Sequence, residues 1–360
     1  MSTWLLCFAL PARVAAVASF IVDAQGEGFE DATPASKVAG NPGLTLGDQR
    51  MAAVLHAAEQ WGNLLDSKVP VVVEVRFVDL GCDESGAVLA HAGAAKLVRG
   101  MAGGDPNVWY PSALANRLAG TDLSPGDPDV VMELNSAVDG ECRDVVGGWY
   151  YGFDGARGRA TDLVETVLHE LAHGLGFSSS IDAETGEASL PSGTDVFSSH
   201  VIDLRTGRGW SSLSAAERRL STRSGRGLAF DGARTQRAAY GWLFSGVDGA
   251  GRPLLYARTP VDRGSAVSHF DPLVRPDLLM EPFARRVPTH EVDLTLAVLA
   301  DLGWTSDCGN GRIDFDEECD DGARNGNREG AACRLSCRRA RCGDGVVDAD
   351  EACDLGVANG

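Results

Sequence analysis

No apolar run in this chain reaches the roughly 18 residues that a membrane-spanning helix needs, so we expect no transmembrane segment. Positive charge is also scarce, because 32 Lys and Arg residues stand against 51 Asp and Glu residues, for a formal net charge of −19. An acidic surface of this kind repels nucleic-acid phosphates and anionic lipid headgroups. The composition therefore predicts a soluble chain that has neither nucleic acid nor an anionic membrane as its partner.

Cysteine is nearly absent from the first 300 residues, which hold only Cys7, Cys82 and Cys142. The apolar run Trp4–Leu10, followed by small residues at positions 16 and 18, predicts a signal peptide over residues 1–18, although no positive side chain precedes the run. Loss of Cys7 with this leader leaves eight cysteines, an even number that fits an oxidising compartment. We therefore expect a secreted protein in which Cys82 and Cys142 pair, with two free buried thiols as the alternative.

Histidine is scarce too, at seven residues, yet two of them form the motif His169-Glu170-Leu-Ala-His173. Positions four apart lie above one another on a helix, so both imidazoles can reach one metal ion, while Glu170 can reach a water molecule beside it. These groups suit zinc-assisted hydrolysis of a peptide bond by an activated water, with Glu170 as the general base. The alternative is a solvated helix face whose two histidines bind nothing.

The residues around the motif favour a helix with one buried face. Asp162 suits the N-cap, and Glu165 three residues later completes a capping-box pattern. Apolar residues recur at helical spacing through the motif, at Leu163, Val167, Leu168, Leu171 and Leu175. Gly174 and Gly176 then offer a backbone that can turn sharply, so we expect the helix to end there.

A catalytic zinc site requires a third protein ligand. In the compact form of the motif, HExxHxxGxxH, Gly176 matches, but Ser179 occupies the position of the last histidine, and a hydroxyl is a poor zinc ligand. Five other histidines remain. We expect His56 to have a structural role, His91 to have no partner and His290 to lie at the surface. His200 is only a weak alternative to His269 as the third ligand.

His269 is followed eleven residues later by Met280, in a short segment bounded by Pro282. A histidine far downstream of HExxHxxG, followed by a methionine in a tight turn, resembles the leishmanolysin-type metzincins. The resemblance implies that His169, His173 and His269 bind Zn²⁺ and that Met280 forms a hydrophobic floor beneath the ion. It covers residues 25–304, but the cysteine framework of that family is missing here.

The resemblance implies an α+β, metzincin-like fold. A mixed sheet and the active-site helix would form an upper subdomain (25–176), and an irregular lower subdomain (177–304) would carry the Met-turn and a closing helix. The residue pattern predicts strands at Val71–Val78 and Asp129–Leu134, and helices at Gly47–Leu65, Ala87–Met101, Ser214–Leu220 and Thr289–Leu302. The strand at 129–134 is expected at the edge of the sheet, where an extended substrate could pair, and Trp149–Gly152 is expected to be a core aromatic cluster.

The composition changes abruptly at residue 307. Residues Cys308–Gly326 recur as Cys342–Gly360 with eleven of nineteen positions identical, a strong internal repeat. Each copy has too few apolar residues to fold by burial, so disulfides must constrain it, and six cysteines permit fifteen pairings. Segment 305–360 resembles the cysteine-rich repeats behind secreted enzymes of myxobacteria, and its second copy stops short, as in a truncated chain. Its acidic side chains make Ca²⁺ a second candidate ion, without EF-hand spacing: Asp314, Asp316, Glu317, Asp320 and Asp321.

Together these patterns predict a secreted, extracellular zinc endopeptidase that acts on proteins or peptides, with repeats that bind cell-surface or matrix material. A second electrophile is expected, and Tyr150, Tyr151 and Tyr240 are the candidates. Two alternatives stay open. One is a zincin of another clan with an acidic third ligand such as Asp195 or Glu217, and the other is an inactive surface adhesion or binding protein. An intact general base argues against the second.

Overall fold

The structure is a computed structural model that describes residues 18–304, apart from residues 27, 85 and 263, and beyond them residues 318–321, 324, 326, 329–334, 339–341 and 348. The chain divides into two compact units, Met1–Trp304 and Thr305–Gly360. The predicted signal peptide lies outside the described residues except for Ala18. Within the described part, no helix is long and apolar enough to cross a bilayer.

The first unit mixes helices with several small sheets. Its helices are Leu46–Leu64 (α1), Ser112–Ala119 (α2), Arg143–Val146 (α3), Leu163–Leu175 (α4), Val196–Ser199 (α5), Ala215–Ser221 (α6), Ala233–Trp242 (α7) and Thr295–Leu302 (α8). Its strands are Phe20–Gln25 (β1), Val71–Val78 (β2), Cys82–Asp83 (β3), Gly86–Ala87 (β4), Ala90–Ala94 (β5), Leu97–Val98 (β6), Val108–Pro111 (β7), Val130–Asn135 (β8), Trp149–Tyr150 (β9), Thr161–Asp162 (β10), Thr194–Asp195 (β11), Val201–Asp203 (β12), Arg208–Gly209 (β13) and Leu228–Phe230 (β14). The predicted α+β class is confirmed at this level.

The largest sheet has the order β1-β2-β8-β5. Strands β1, β2 and β8 run parallel, whereas β5 runs antiparallel to β8. Alternate residues of β2, namely Val71, Val73 and Val75, are buried, because a period of two sends every second side chain to the same face. Helices α1 and α4 pack against each other and against this sheet, and the Trp61 indole of α1 donates a 3.0 Å hydrogen bond to the Leu168 carbonyl of α4.

Four local predictions are confirmed. Strand β2 has the predicted bounds, α1 and α6 match their predicted helices to within a residue at each end, and Trp149 and Tyr151 are core side chains. The predicted helix at Ala87–Met101 is wrong, since this stretch forms β5 and β6. Alanine favours helices in isolation, but pairing of residues 90–94 with β8 overrides that preference.

The strand at 129–134 is present as β8, but the prediction that it forms the edge is wrong. Strand β8 lies between β2 and β5, so β5 is the edge strand. Four of the five residues of β5 are alanine or glycine (Ala90, Ala92, Gly93 and Ala94), and α4 lies against this strand. Small residues allow a helix to approach a strand closely, which accounts for an alanine-rich edge strand beside α4.

The predicted closing helix begins later than expected, at Thr295 rather than Thr289. Residues 289–294 are irregular, and His290 and Asp293 have positive φ angles of 55° and 39°, a conformation that does not propagate a right-handed helix. The end of the first unit is nevertheless fastened to α4, because the Trp304 indole donates a 2.7 Å hydrogen bond to the Leu175 carbonyl.

The predicted disulfide Cys82–Cys142 is present, with Cα atoms 5.8 Å apart. In the second unit, Cys319 pairs with Cys333, while the other four cysteines of the tail lie outside the described residues. Most of the acidic residues behind the calcium prediction also lie outside them, and that prediction stays untested.

Candidate metal centre

Helix α4 carries the HExxH motif and is defined at both ends by local chemistry. Asp162 is its N-cap, accepting a 3.0 Å hydrogen bond from the Glu165 N–H. The predicted capping box is only half formed, because the Glu165 carboxylate instead forms an ion pair with Arg285 at 3.0 Å. At the other end Gly176 is the C-cap with a φ of 123°, as its predicted role required.

The helix packs on the sheet through a glycine. A Cβ built on Gly174 would lie only 2.3 Å from Cγ1 of Val130 in β8, so any side chain at this position would collide with the sheet. The apolar stripe predicted for α4 is buried along its length, from Leu163 to Leu175. The motif therefore lies on a helix whose rotation and depth are set by core packing.

The structure brings three imidazoles together. The Nε2 atoms of His169 and His173 lie 3.1 Å apart, those of His169 and His269 3.1 Å, and those of His173 and His269 3.3 Å. Of the described residues, these three form a group of candidate metal ligands whose ligand atoms all lie within 4.8 Å of one another. His269 is buried, and the other two are half-buried.

Each imidazole is oriented by a backbone carbonyl at its other nitrogen. The Nδ1 atoms of His169, His173 and His269 contact the carbonyl oxygens of Leu279 (2.7 Å), Phe177 (2.8 Å) and Ser265 (2.8 Å), respectively. A carbonyl can only accept, so each Nδ1 must carry the proton and donate it. In the neutral rings the three Nε2 lone pairs then point at one another, an arrangement that is repulsive unless a cation lies between them.

The donor set fits a zinc ion. With Zn–N distances of about 2.0–2.1 Å, tetrahedral geometry places ligand nitrogens about 3.3–3.4 Å apart, close to the observed 3.1–3.3 Å. Three imidazoles would leave one ligand position of the ion for water or substrate. Donation from Nδ1–H to a carbonyl is usual for a histidine whose Nε2 binds a metal.

Burial keeps the three rings neutral. It lowers the pKa of His169 to about 3, assisted by the neighbouring His173 and by Arg285, and lowers the pKa of His173 to about 4. Burial and the other two rings hold the pKa of His269 well below its usual value. Neutral imidazole is the form that coordinates a metal, and the three rings are in that form at neutral pH.

Glu170, the residue after His169, is buried. Burial raises the pKa of its carboxyl to about 8, opposed by a hydrogen bond from the backbone of Ala92 in β5. A carboxyl titrating near neutral pH is suited to accept and return a proton, and its contact with Ala92 places it next to the edge strand.

Met280 is fully buried, and its carbonyl accepts a 2.8 Å hydrogen bond from the N–H of Phe270. Its neighbour Leu279 orients His169. The Met280 segment, residues 278–282, is therefore hydrogen-bonded to Phe270, the residue after His269, and to the imidazole of His169. The role of Met280 as a floor for the ion stays a prediction.

The remaining histidines have other contacts. His56 stacks on Phe153 with ring centroids 4.1 Å apart, His91 is exposed on β5, and His200 stacks on Phe230. The surface position predicted for His290 is wrong, since its Nε2 forms a 2.9 Å contact with Asp162 and its side chain is 9% exposed. The reason is the irregular segment 289–294, which turns this side chain onto the N-cap of α4.

The acidic alternatives for a third ligand are engaged elsewhere. Asp195 is the N-cap of α5 and also accepts from Ser180, and Glu217 completes a capping box with Ser214. Among the tyrosine candidates for a second electrophile, Tyr150 donates to Asp154 and Tyr151 donates to Asp139. Tyr240 is 93% exposed. These contacts give none of the three a link to the imidazoles, so the second electrophile stays unassigned.

A cavity of about 190 Å³ opens beside His173. Its walls are formed by β5 residues, including Ala94, by the serines that follow α4 and by Asp195. Most of the lining side chains are small, so the space lies between the edge strand and the segment that follows the motif.

The residues that sequence reasoning missed are Arg285 and Asp293. Arg285 contacts Glu165 and Asp293, at 3.0 Å and 3.2 Å, and all three side chains are buried. No local pattern marks such a pair, since Glu165 and Arg285 are 120 positions apart. The one available signal was the N3 position of Glu165, which pointed to the wrong partner.

Comparison with known proteins gives a family model described as SPBPB7E8-like, which matches residues 41–204. This stretch includes His169, Glu170 and His173 but ends before His269. The chain is also 26% identical over 150 residues to the "Uncharacterized protein PB7E8.01" of Schizosaccharomyces pombe, a match that covers 39% of this chain and 25% of that protein. No solved structure matches.

Proposed function

We propose that the chain is a zinc-dependent endopeptidase of the leishmanolysin-like metzincin type. The observation that carries this proposal is the convergence of three Nε2 atoms within 3.1–3.3 Å, each on a ring whose Nδ1 is held by a carbonyl. Glu170, one residue after the first of these histidines, is the second support. A structural role for the histidines would not require three lone pairs to face one another.

In the proposed reaction, a bound zinc ion and Glu170 have separate roles. Bound zinc would supply Lewis acidity to a substrate carbonyl and acidity to a water molecule. Glu170 takes a proton from the attacking water and returns it to the leaving amine. A cation held by the three Nε2 atoms would favour the ionised form of Glu170 and lower the pKa of its carboxyl from about 8.

Strand β5 is suited to hold an extended peptide. Among the described residues it pairs on one side only, with β8, and it lies beside Glu170 through Ala92. An extended substrate can add to such an edge by main-chain hydrogen bonds. The cavity beside His173 would then accept one substrate side chain, because it lies between β5 and the segment that follows α4.

The other parts of the proposal rest on the sequence. Secretion is supported by the apolar N-terminal run and by the Cys82–Cys142 disulfide, since disulfides persist in oxidising compartments. The resemblance of the tail to myxobacterial cysteine-rich repeats supports a role for residues 305–360 in binding surface or matrix material. The Cys319–Cys333 disulfide agrees with a disulfide-constrained tail.

The test is the substitution Glu170→Gln, with Glu59→Gln as the matched control because Glu59 is exposed on α1. We expect both variants to bind one zinc ion per chain, measured by atomic absorption after dialysis. Casein cleavage should fall at least about 100-fold in Glu170→Gln, the lower bound for loss of a general base, and stay unchanged in Glu59→Gln. Turnover in Glu170→Gln equal to that of the parent would refute the proposed role of this residue, and a parent protein without zinc or activity would refute the proposed function.

A further inference from the structure

One backbone residue of the Met280 segment is held from both sides. The Leu279 carbonyl accepts from Nδ1 of His169 at 2.7 Å, and the Leu279 N–H donates to Oδ2 of Asp293 at 2.6 Å. Because the carbonyl and the N–H belong to the same residue, fixing the N–H restricts where the carbonyl can point. Asp293 is thus one residue removed from the imidazole of a candidate metal ligand.

The three rings differ in how they are held. His173 and His269 contact carbonyls four residues away in the chain, at Phe177 and Ser265. His169 instead contacts a carbonyl 110 residues away. Local backbone geometry can therefore orient the first two rings, whereas the orientation of His169 depends on how a distant segment is positioned.

Asp293 has the contacts needed to position that segment. Its side chain is 4% exposed, and its other oxygen, Oδ1, accepts from the N–H and the hydroxyl of Thr295 at the start of α8. Its backbone has a φ of 39°, a region that few non-glycine residues occupy. The carboxylate therefore joins the first turn of α8 to the Leu279 N–H.

Arg285 fastens this carboxylate to the active-site helix. Its guanidinium contacts both oxygens of Glu165 at 3.0 Å and Oδ2 of Asp293 at 3.2 Å, and its side chain is 5% exposed. A guanidinium fork holds two carboxylates in fixed directions, which an ammonium cannot do. Glu165 lies one turn before His169 on α4, so the connection returns to the helix that bears the ligand.

We propose that Asp293 is a positioning residue for His169: it fixes the Leu279 backbone, which sets the direction of the His169 imidazole, and Arg285 holds Asp293 against α4. This inference rests on the proposed zinc site. Groups that hold a metal ligand in its orientation without touching the ion contribute about 10–100-fold to metal affinity.

The test is Asp293→Asn. The amide has one acceptor oxygen for N–H groups on opposite sides, Leu279 and Thr295, so one of them must lose its acceptor whichever way the amide turns. The matched control is Asp203→Asn, because Asp203 is also buried and accepts from Arg205 and Ser221, but it lies in β12. Both variants are made in the full chain.

Three quantities are measured on each protein: the zinc dissociation constant by competition with a chromophoric chelator, the visible spectrum of the Co²⁺-substituted form, and the melting temperature of the metal-free form. We expect Asp293→Asn to weaken zinc binding about 10–100-fold and to shift the Co²⁺ bands, which report on ligand geometry. Asp203→Asn should lower the melting temperature without changing affinity or spectrum. Arg285→Lys keeps the positive charge but loses the guanidinium fork, so it should weaken zinc binding and shift the Co²⁺ bands in the same direction as Asp293→Asn. If Asp293→Asn does not fold, the result for Arg285→Lys decides whether the inference holds.

Zinc affinity and Co²⁺ spectrum equal to those of the parent in Asp293→Asn would overturn the inference and leave the zinc site standing. An equal loss of affinity in Asp203→Asn would also overturn it, because the effect would then come from lower stability alone. A parent protein that binds no zinc would overturn the proposed function and this inference together.

Discussion

Gly174 lies inside α4, where glycine is about 1 kcal/mol worse than alanine, so Gly174→Ala would stabilise an isolated helix. In the folded chain the added Cβ would lie 2.3, 2.8 and 3.1 Å from three side-chain atoms of Val130. Rotation of a β-branched side chain cannot clear all three, and overpacking a core costs about 1–3 kcal/mol. Since the whole Val130 side chain is involved, we take the upper end of that range and expect a net destabilisation of about 1–2 kcal/mol.

The assay is urea-induced unfolding of the metal-free protein, followed by far-UV circular dichroism. Gly241→Ala is the matched control, because Gly241 lies in α7 and nothing lies within 4 Å of its added Cβ. This control should gain up to about 1 kcal/mol, the helix-propensity difference alone. Val130→Ala should relieve the clash in the double variant with Gly174→Ala. The loss of stability in the double variant should therefore be about 1–2 kcal/mol smaller than the sum of the two single losses.

A Gly174→Ala protein as stable as the parent, or a double variant that shows no coupling, would refute the view that close contact between α4 and β8 excludes a side chain here. The expected cost also has a functional side. His173 immediately precedes Gly174, so a shift of α4 away from the sheet would separate the Nε2 of His173 from that of His269 and weaken zinc binding.

Two further predictions concern the third ligand and the pH dependence of stability. His269→Ala should lower zinc content after dialysis to a small fraction of one per chain, whereas Asp195→Ala should leave it unchanged; the opposite pattern would support an acidic third ligand. Burial raises the pKa of Glu281 to about 7, opposed by the Leu278 N–H, so the folded chain holds a proton there that the unfolded chain releases above about 4.5. The contribution of Glu281 to the free energy of unfolding should then fall by at most about 3 kcal/mol as pH rises from 4.5 to 7. Glu281→Gln should remove that part of the slope in urea titrations, and a slope equal to that of the parent would contradict the assignment.

Short-range patterns were readable wherever local chemistry decides the structure. The β-branched run 71–78 forms β2, Asp162 is the N-cap of α4, and Gly176 ends that helix. In each case the residue's own preference and its tertiary surroundings agree, so one sequence suffices. The three imidazoles that the structure brings together had been selected from motif spacing and family resemblance, and their binding of zinc stays a prediction.

The failures are places where distant contacts decide. Residues 90–94 are alanine-rich and their local preference is helical, but they form a strand because they pair with β8. Glu165 has a favourable local partner at the N-cap and binds Arg285 instead. Asp293 has a positive φ, and the presence of an aspartate in the sequence does not by itself predict that conformation. A single chain carries no signal for such pairings.

The indole of Trp304 has a consequence for where the tail can be removed. Trp304 is the last residue of the first unit and is fully buried, and its indole N–H donates a hydrogen bond to the carbonyl of Leu175 in the final turn of α4. Two residues beyond that carbonyl, Phe177 orients His173. A protease nick or stop codon placed a few residues upstream would thus uncap the helix end next to a candidate zinc ligand, whereas a cut just downstream would spare it.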